Sequence, residues 1–406
     1  MKLSKILILI FIFTIFIHLF RIDYPNSYIF DEVYHAFTAK EYLINNRDAW
    51  NPWATPPKGV AYEWTHPPLA KEIMTLSMAL VNSTDAWAYR LPGALLGILS
   101  VYLVYLIGLR LLNSQIPALI AAFIYSLEGL ALVQSRTGMN DIYFLTFMLA
   151  SFLFFVKKKF LFSSIFFGLS LASKWTIIYL LGFYLILLFK NRELKKLIFF
   201  VIIPPVIYLL TYVPYFLLGY DLNQFIELQK QMWGYHTNLR ATHDYASPWW
   251  SWPLNLYPVW YHVEYMQDKI ANIFASGNPA IFWAGTAAII LTIIDIVRAK
   301  SRIYLKSLLI ILSGFFIFWL PWAVSPRIMF LYHFSPSVPF LSIALGYQVG
   351  KLWESKNNRL LAILLLILMF IGFLLVYPFL TGIPIPKEWV KYFFMTNITK
   401  NPFGQI

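Results

Sequence analysis

Long apolar runs alternate with short polar connections along the whole chain. Stretches of about 18 or more apolar residues recur, the length at which a helix crosses a hydrocarbon core of about 30 Å. They predict about eleven helices, at 3–20, 87–111, 116–134, 140–156, 160–173, 174–189, 197–219, 279–297, 304–320, 336–350 and 360–379. The fifth and sixth share the stretch 160–189, interrupted only by Ser173-Lys174. The expected fold class is an all-α polytopic membrane protein, a single integral membrane domain over 1–406. Residues 3–20 read as a retained first helix, because no small-x-small cleavage site follows before Arg21 and Asp23.

The polar connections set the orientation. Alternate ones are short and basic: Lys157-Lys158-Lys159; Lys190, Arg192, Lys195 and Lys196; Arg298, Lys300, Arg302 and Lys306; Lys351, Lys356 and Arg359. The positive-inside bias places these, and the N-terminus, in the cytoplasm. Residues 21–86, 220–278 and the tail 380–406 then face outward from the cell membrane, with shorter loops at 135–140 and 321–335. Within 21–86, two amphipathic surface helices are expected. From Asp31 to about Asn46, Val33, Phe37 and Ile44 share one face; from Pro68, Leu69, Ile73, Leu76 and Leu80 do the same. The loop 220–278 reads as rich in Trp, Tyr and Pro, while the stretch 51–59 within the first loop reads as turn-rich and not regular.

Composition narrows the class further. At 59% hydrophobic and 13% charged residues, the chain has too little charge to cover a soluble protein of 406 residues. The net charge of +13 is carried largely by the topology-setting connections, so no nucleic-acid partner is implied. With no cysteine there is neither a disulfide framework nor a thiolate metal site. P-loop, G-x-G-x-x-G, H-E-x-x-H and D-x-D motifs are absent, as is a serine nucleophile elbow. No metal and no cofactor are expected.

The candidate chemistry gathers on the outward side, which holds six of the seven histidines and nearly all carboxylates. Adjacent carboxylates beside a membrane are costly to place, and Asp31-Glu32 follows directly on the first span. Their simplest use is transfer of a sugar from a lipid carrier. An acceptor hydroxyl must lose its proton as it attacks, which suits one carboxylate as base; the second can hold hydroxyl groups. Side by side they also fit a helix start, where the macrodipole favours acidic groups. His66-Pro67-Pro68 opens a helix whose first amides and imidazole can face the carboxylates or a phosphate. Arg136, Lys174 and Arg327 stand at helix ends, where they either neutralise a leaving phosphate or snorkel to the interface. His243, Trp249, Trp250, Tyr332 and His333 make an aromatic and polar set that lines a cavity or forms an interfacial belt.

Taken in order, these segments resemble the protein O-mannosyltransferase family of the GT-C membrane glycosyltransferases. The resemblance runs through Phe30-Asp31-Glu32-Val33-Tyr34-His35, His66-Pro67-Pro68-Leu69-Ala70-Lys71, Ser135-Arg136-Thr137-Gly138-Met139-Asn140-Asp141 and Lys174-Trp175-Thr176. It continues through Ser247-Pro248-Trp249-Trp250-Ser251-Trp252-Pro253-Leu254, Gly277-Asn278-Pro279, and Arg327 followed by Tyr332-His333-Phe334. It implies an inverting transfer of mannose from a dolichyl or polyprenyl phosphate to Ser or Thr hydroxyls of proteins, on the non-cytosolic face, with no metal in a chemical role. Asp31 would be the base and Glu32 its acceptor-side partner. Arg136, Lys174 and Arg327 would surround the lipid phosphate. His35, His66, Asp141, His243, Trp249, Trp250, Tyr332 and His333 would line the cavity. Eukaryotic members carry a β-trefoil module where this chain has 220–278, a loop too short for one, so the resemblance is to the smaller archaeal or bacterial form. Two other readings are a related lipid-phosphate-sugar transferase acting on a lipid or glycan, of the aminoarabinose or arabinose type, and a flippase or transporter. The last predicts broken helices and polar groups at the bilayer midplane.

Overall fold

The computed structural model describes residues 3–298 and 305–390. Lys300, Arg302 and the tail beyond Val390 lie outside the described residues. The apolar runs fold as helices: α1 (Leu3–Leu19), α4 (Ala86–Leu112), α5 (Gln115–Ser126), α6 (Gly129–Ser135), α7 (Asp141–Val156), α8 (Phe160–Leu171), α9 (Ile178–Lys190), α10 (Leu197–Leu210), α11 (Val213–Leu217), α13 (Pro279–Arg298), α14 (Leu305–Trp319), α15 (Val338–Glu354) and α16 (Arg359–Thr381). Between the spans lie α2 (His35–Leu43), α3 (Leu69–Val81) and α12 (Leu222–Asn238). Among the described residues, four helices are long and apolar enough to cross a membrane unaided, or five if the bent pair α5–α6 counts as one span.

Two single spans of the sequence reading are broken. The stretch 116–134 bends by 60° between α5 and α6. At the bend Glu128 accepts hydrogen bonds from the Leu130 and Ala131 amides (both 2.8 Å), capping α6. Gly129 is required there, since a Cβ would lie 2.4 Å from the Ser276 carbonyl oxygen. The stretch 197–219 divides at Thr211-Tyr212. Pro214 has no N–H for the Leu210 carbonyl and its ring would clash with it, so α10 ends at Leu210.

The loop 220–278 holds regular structure, strands among it. Besides α12 it holds an antiparallel hairpin, β1 (Val259–Tyr265) and β2 (Lys269–Ala275), extended by β3 (Ile385–Pro386) into a three-stranded sheet. The all-helical expectation needs this correction. Val-Trp-Tyr-His-Val-Glu-Tyr is a β-branched and aromatic run that favours a pleated, half-buried surface. The amphipathic expectation for α2 also fails in part: Phe37 is buried and stacks on Tyr62, whereas Ile44, past the helix end, is 70% exposed. In α3, Ala70, Met74 and Met78 face the protein and Leu76 and Leu80 the surroundings. Small residues let the spans approach closely. A Cβ on Gly97 of α4 would meet the Ser135 Cβ at 2.5 Å, which fixes α6 against α4 beneath the site.

Candidate active site

The turn that carries Asp31 and Glu32 is a 3-10 turn, Phe30–Val33, entered through a left-handed Phe30 (φ 44°). An aromatic residue at positive φ is strained, by about 1–3 kcal/mol, and persists only where its surroundings over-determine it. Here the Phe30 ring stacks on Tyr261 at 4.0 Å between centroids. The consequence is that the two adjacent carboxylates part company.

Glu32 turns inward. It is fully buried and forms a two-pronged ion pair with Arg90 of α4 (Nε and Nη2 each 2.7 Å), and it accepts the Gly138 amide at 2.8 Å and the Ile29 amide at 3.0 Å. Arg90 also donates to the Ile22, Pro25 and Ser27 carbonyls, so one guanidinium ties down the whole segment 22–32. Arg136 likewise leaves the cavity: it donates to the Ile17 and His18 carbonyls (3.0 and 2.8 Å) and to Arg21 (3.1 Å), capping the C-terminal end of α1. The structure therefore gives neither residue the place that the resemblance implies. Glu32 is part of a clamp and Arg136 of a helix cap.

Asp31 turns outward into a cavity of about 410 Å³ that also takes in His35, His66, Asp141, Lys174, Arg327, Tyr332 and His333. Asp141 stands at the start of α7, and Lys174 in the break between α8 and α9 reaches it at 2.8 Å. Arg327 donates from Nη1 to His236 Nδ1 (2.8 Å), and His236 Nε2 donates to the Thr65 carbonyl (2.7 Å), which assigns the neutral tautomer with the proton on Nε2. The buried Nε of Arg327 has no partner. His66 pairs with Glu63 at 2.9 Å, and Thr65 donates to the same carboxylate at 2.7 Å. Tyr332 and His333 stack at 4.6 Å, and His333 Nδ1 accepts the Phe330 amide.

Burial, then the Asp141 and Glu63 carboxylates, pushes the Asp31 carboxyl up to about 7 against the pull of Lys174. Burial depresses His35 to about 3, His66 to about 4 and His236 to about 4, leaving all three imidazoles neutral at neutral pH. Burial opposes ionisation of Glu63, but His66, His35 and Lys71 outweigh it and hold that carboxyl well below its ordinary range. The cavity thus sets a carboxylate poised near neutrality opposite two cations.

Three residues expected at the cavity lie elsewhere. His243 is exposed on the loop before the 3-10 turn Trp249–Leu254, where its ring meets Phe330. Trp249 packs on Trp319, whose indole donates to the Trp249 carbonyl (2.8 Å), and Trp250 is 53% exposed. Two residues that sequence reasoning missed are central. Glu63 stands three positions before His66, a spacing that was visible in Glu63-Trp64-Thr65-His66. His236 rides on α12, whose capping box at Asp221 and Gln224 marks a helix start within the outer loop 220–278. The mouth of the cavity is apolar and exposed at Ile178, Tyr179 and Trp233.

The helical membrane fold holds a polar cavity that joins a carboxylate to two phosphate-matching cations, and the solved structures similar to it are membrane glycosyltransferases of GT-C architecture. Solved structures bear out the fold: the Saccharomyces cerevisiae protein O-mannosyltransferase Pmt1-Pmt2 complex bound to the sugar donor superposes with a TM-score of 0.81 at 16% identity, covering 97% of this chain and 92% of that one. ArnT from Cupriavidus metallidurans bound to undecaprenyl phosphate gives 0.63 at 14% identity, covering 88% and 62%. Profiles of dolichyl-phosphate-mannose-protein mannosyltransferase match residues 8–220, and of the C-terminal four-span region of protein O-mannosyltransferase residues 221–397; the chain belongs to this family. It is 23% identical over 450 aligned positions to the polyprenol-phosphate-mannose–protein mannosyltransferase of Mycolicibacterium smegmatis, covering 88% of this chain and 85% of that protein.

Proposed function

We propose that this enzyme moves mannose, with inversion, from a polyprenyl or dolichyl phosphate to Ser or Thr hydroxyls of proteins. The observation that carries the reading is the parting of Asp31 from Glu32: Asp31 alone enters the cavity that holds Lys174 and Arg327. Asp31 takes the proton of the acceptor hydroxyl, whose oxygen bonds to the anomeric carbon as the bond from that carbon to the phosphate oxygen breaks. Arg327, through its unpartnered Nε, and Lys174 neutralise the charge that collects on the leaving phosphate. Exposed Ile178, Tyr179 and Trp233 at the mouth suit the prenyl chain. The transfer needs no cofactor beyond its lipid-linked donor.

Orientation follows the charge pattern. The single membrane domain crosses the cell membrane about eleven times, with the N-terminus cytoplasmic and the cavity and C-terminus outside. Supporting this, Asp141 at the cavity and Lys157 in a basic connection stand at opposite ends of α7, about 24 Å apart at 1.5 Å per residue.

The test is transfer of labelled mannose from dolichyl-phosphate-mannose to Ser/Thr peptides by the purified protein and by Asp31→Asn. Labelled peptide, lost in the variant, is the expected result. Label appearing in lipid or glycan instead would move the acceptor class, and full activity in the variant would remove Asp31 as base.

A further inference from the structure

Among the described residues, one group of three side chains has the donor set and spacing of a metal site. A nitrogen of His35, a nitrogen of His66 and an oxygen of Glu63 all lie within 4.8 Å of one another. All three are buried or nearly so: His35 is 3% and Glu63 6% exposed, and the His66 side chain 17%. His35 Nδ1 finds no hydrogen-bond partner although the residue lines the cavity. An unsatisfied buried imidazole beside an ionised carboxylate is unfavourable unless something fills the space between them.

We propose that His35, Glu63 and His66 bind one divalent ion of the zinc class, which pins the loop around Glu63 to the helix that follows the Asp31 turn. Two imidazole nitrogens and one carboxylate oxygen form a recurrent ligand set for zinc. With bonds of about 2.0–2.1 Å, tetrahedral ligand atoms stand roughly 3.3 Å apart, so the group has to contract by about 1.5 Å at most. One of its three sides is already short, His66 Nδ1 and Glu63 Oε1 at 2.9 Å, where a proton now does what the ion would do. Thr65 Oγ1 donates to Glu63, as an outer partner does for a ligating carboxylate. Lys71, a neighbouring cation, is turned to the His66 carbonyl at 3.0 Å. The remaining coordination positions are left to water. The ion makes and breaks none of the bonds assigned above, and the sequence hid it because His35 is 28 residues from Glu63.

Zinc counting tests this independently of mannose transfer. The full chain in detergent, stripped with chelator and dialysed against zinc chloride, should retain one zinc per chain by elemental analysis. Glu63→Gln and His35→Asn should weaken binding by about 10-fold or more, while His243→Asn should leave it unchanged. Cobalt added to the stripped wild-type protein should give the intense visible bands of a tetrahedral site, a readout that holds even if a variant fails to fold. Absence of bound zinc and of those bands overturns the proposal, and so does zinc held equally by all three variants.

Discussion

Two buried sets of charges stand side by side at the cavity end, and they are built on opposite principles. In the clamp, Glu32 and Arg90 satisfy each other and five further backbone groups: the Gly138 and Ile29 amides and the Ile22, Pro25 and Ser27 carbonyls. In the cavity, Asp31 is only partly exposed yet has no cation of its own, and Arg327 keeps a buried donor unpaired. A saturated network resists change and does no chemistry; an unsaturated one waits for a ligand. In the proposed mechanism, adjacent residues of one chain thus divide stability and reaction between them.

The largest effects should expose that split. Asp31→Asn should lower transfer by about 10²- to 10⁴-fold, the range for a lost general base. Its melting temperature should stay level or rise. The folded carboxyl is raised, so the native state holds its proton to higher pH than the unfolded chain does, and stability falls as pH rises from about 4 to about 7. Asparagine abolishes that loss. Glu32→Gln should do the reverse. It leaves Arg90 buried without a counter-charge and should destabilise by about 3–5 kcal/mol, read as a lowered melting temperature in detergent. Transfer by whatever remains folded should be less impaired than in Asp31→Asn. A Glu32→Gln protein as stable as wild type would end the comparison.

Arg327→Ala should come next. Losing hydrogen bonds from a charged donor, about 1.5–3 kcal/mol in all, should raise the apparent KM for the lipid donor by roughly 10-fold or more. The acceptor peptide KM should change less. Arg136→Ala should leave the donor KM alone and act on stability, because Arg136 caps α1 and does not reach the cavity.

How much of this was legible depended on the range of the signal. Spans were readable because a run such as 360–379 declares itself locally, and α16 occupies Arg359–Thr381. The cavity set Asp31, His66, Lys174, Arg327 and Tyr332 was reachable from residue types near helix ends and from the family resemblance. The fate of Glu32 and Arg136 was not. Arg90 lies 58 positions from Glu32 and sits inside an apolar span, where nothing marks it as a partner. The Ile17 carbonyl lies 119 positions from Arg136. The hairpin at 259–275 was missed for a different reason: its aromatics also fit an interfacial belt, and its third strand, Ile385–Pro386, comes from more than 100 residues away.

The smallest predicted effect is the most specific to the cavity. With Asp31 near 7, kcat/KM should rise with pH through about 7 and level off above it, since the base must be unprotonated to act. Asp141 contributes the leading like charge that raises Asp31, after burial, and it also pairs with Lys174. Asp141→Asn therefore acts twice in one direction: it removes a repelling carboxylate and frees an ammonium to attract Asp31. Both lower the Asp31 carboxyl, so the acid limb should move to lower pH. A pH profile of donor turnover at saturating peptide, wild type against Asp141→Asn, reads this directly. A limb that stays in place, or moves up, would mean that the group titrating near neutrality is not the carboxylate at position 31.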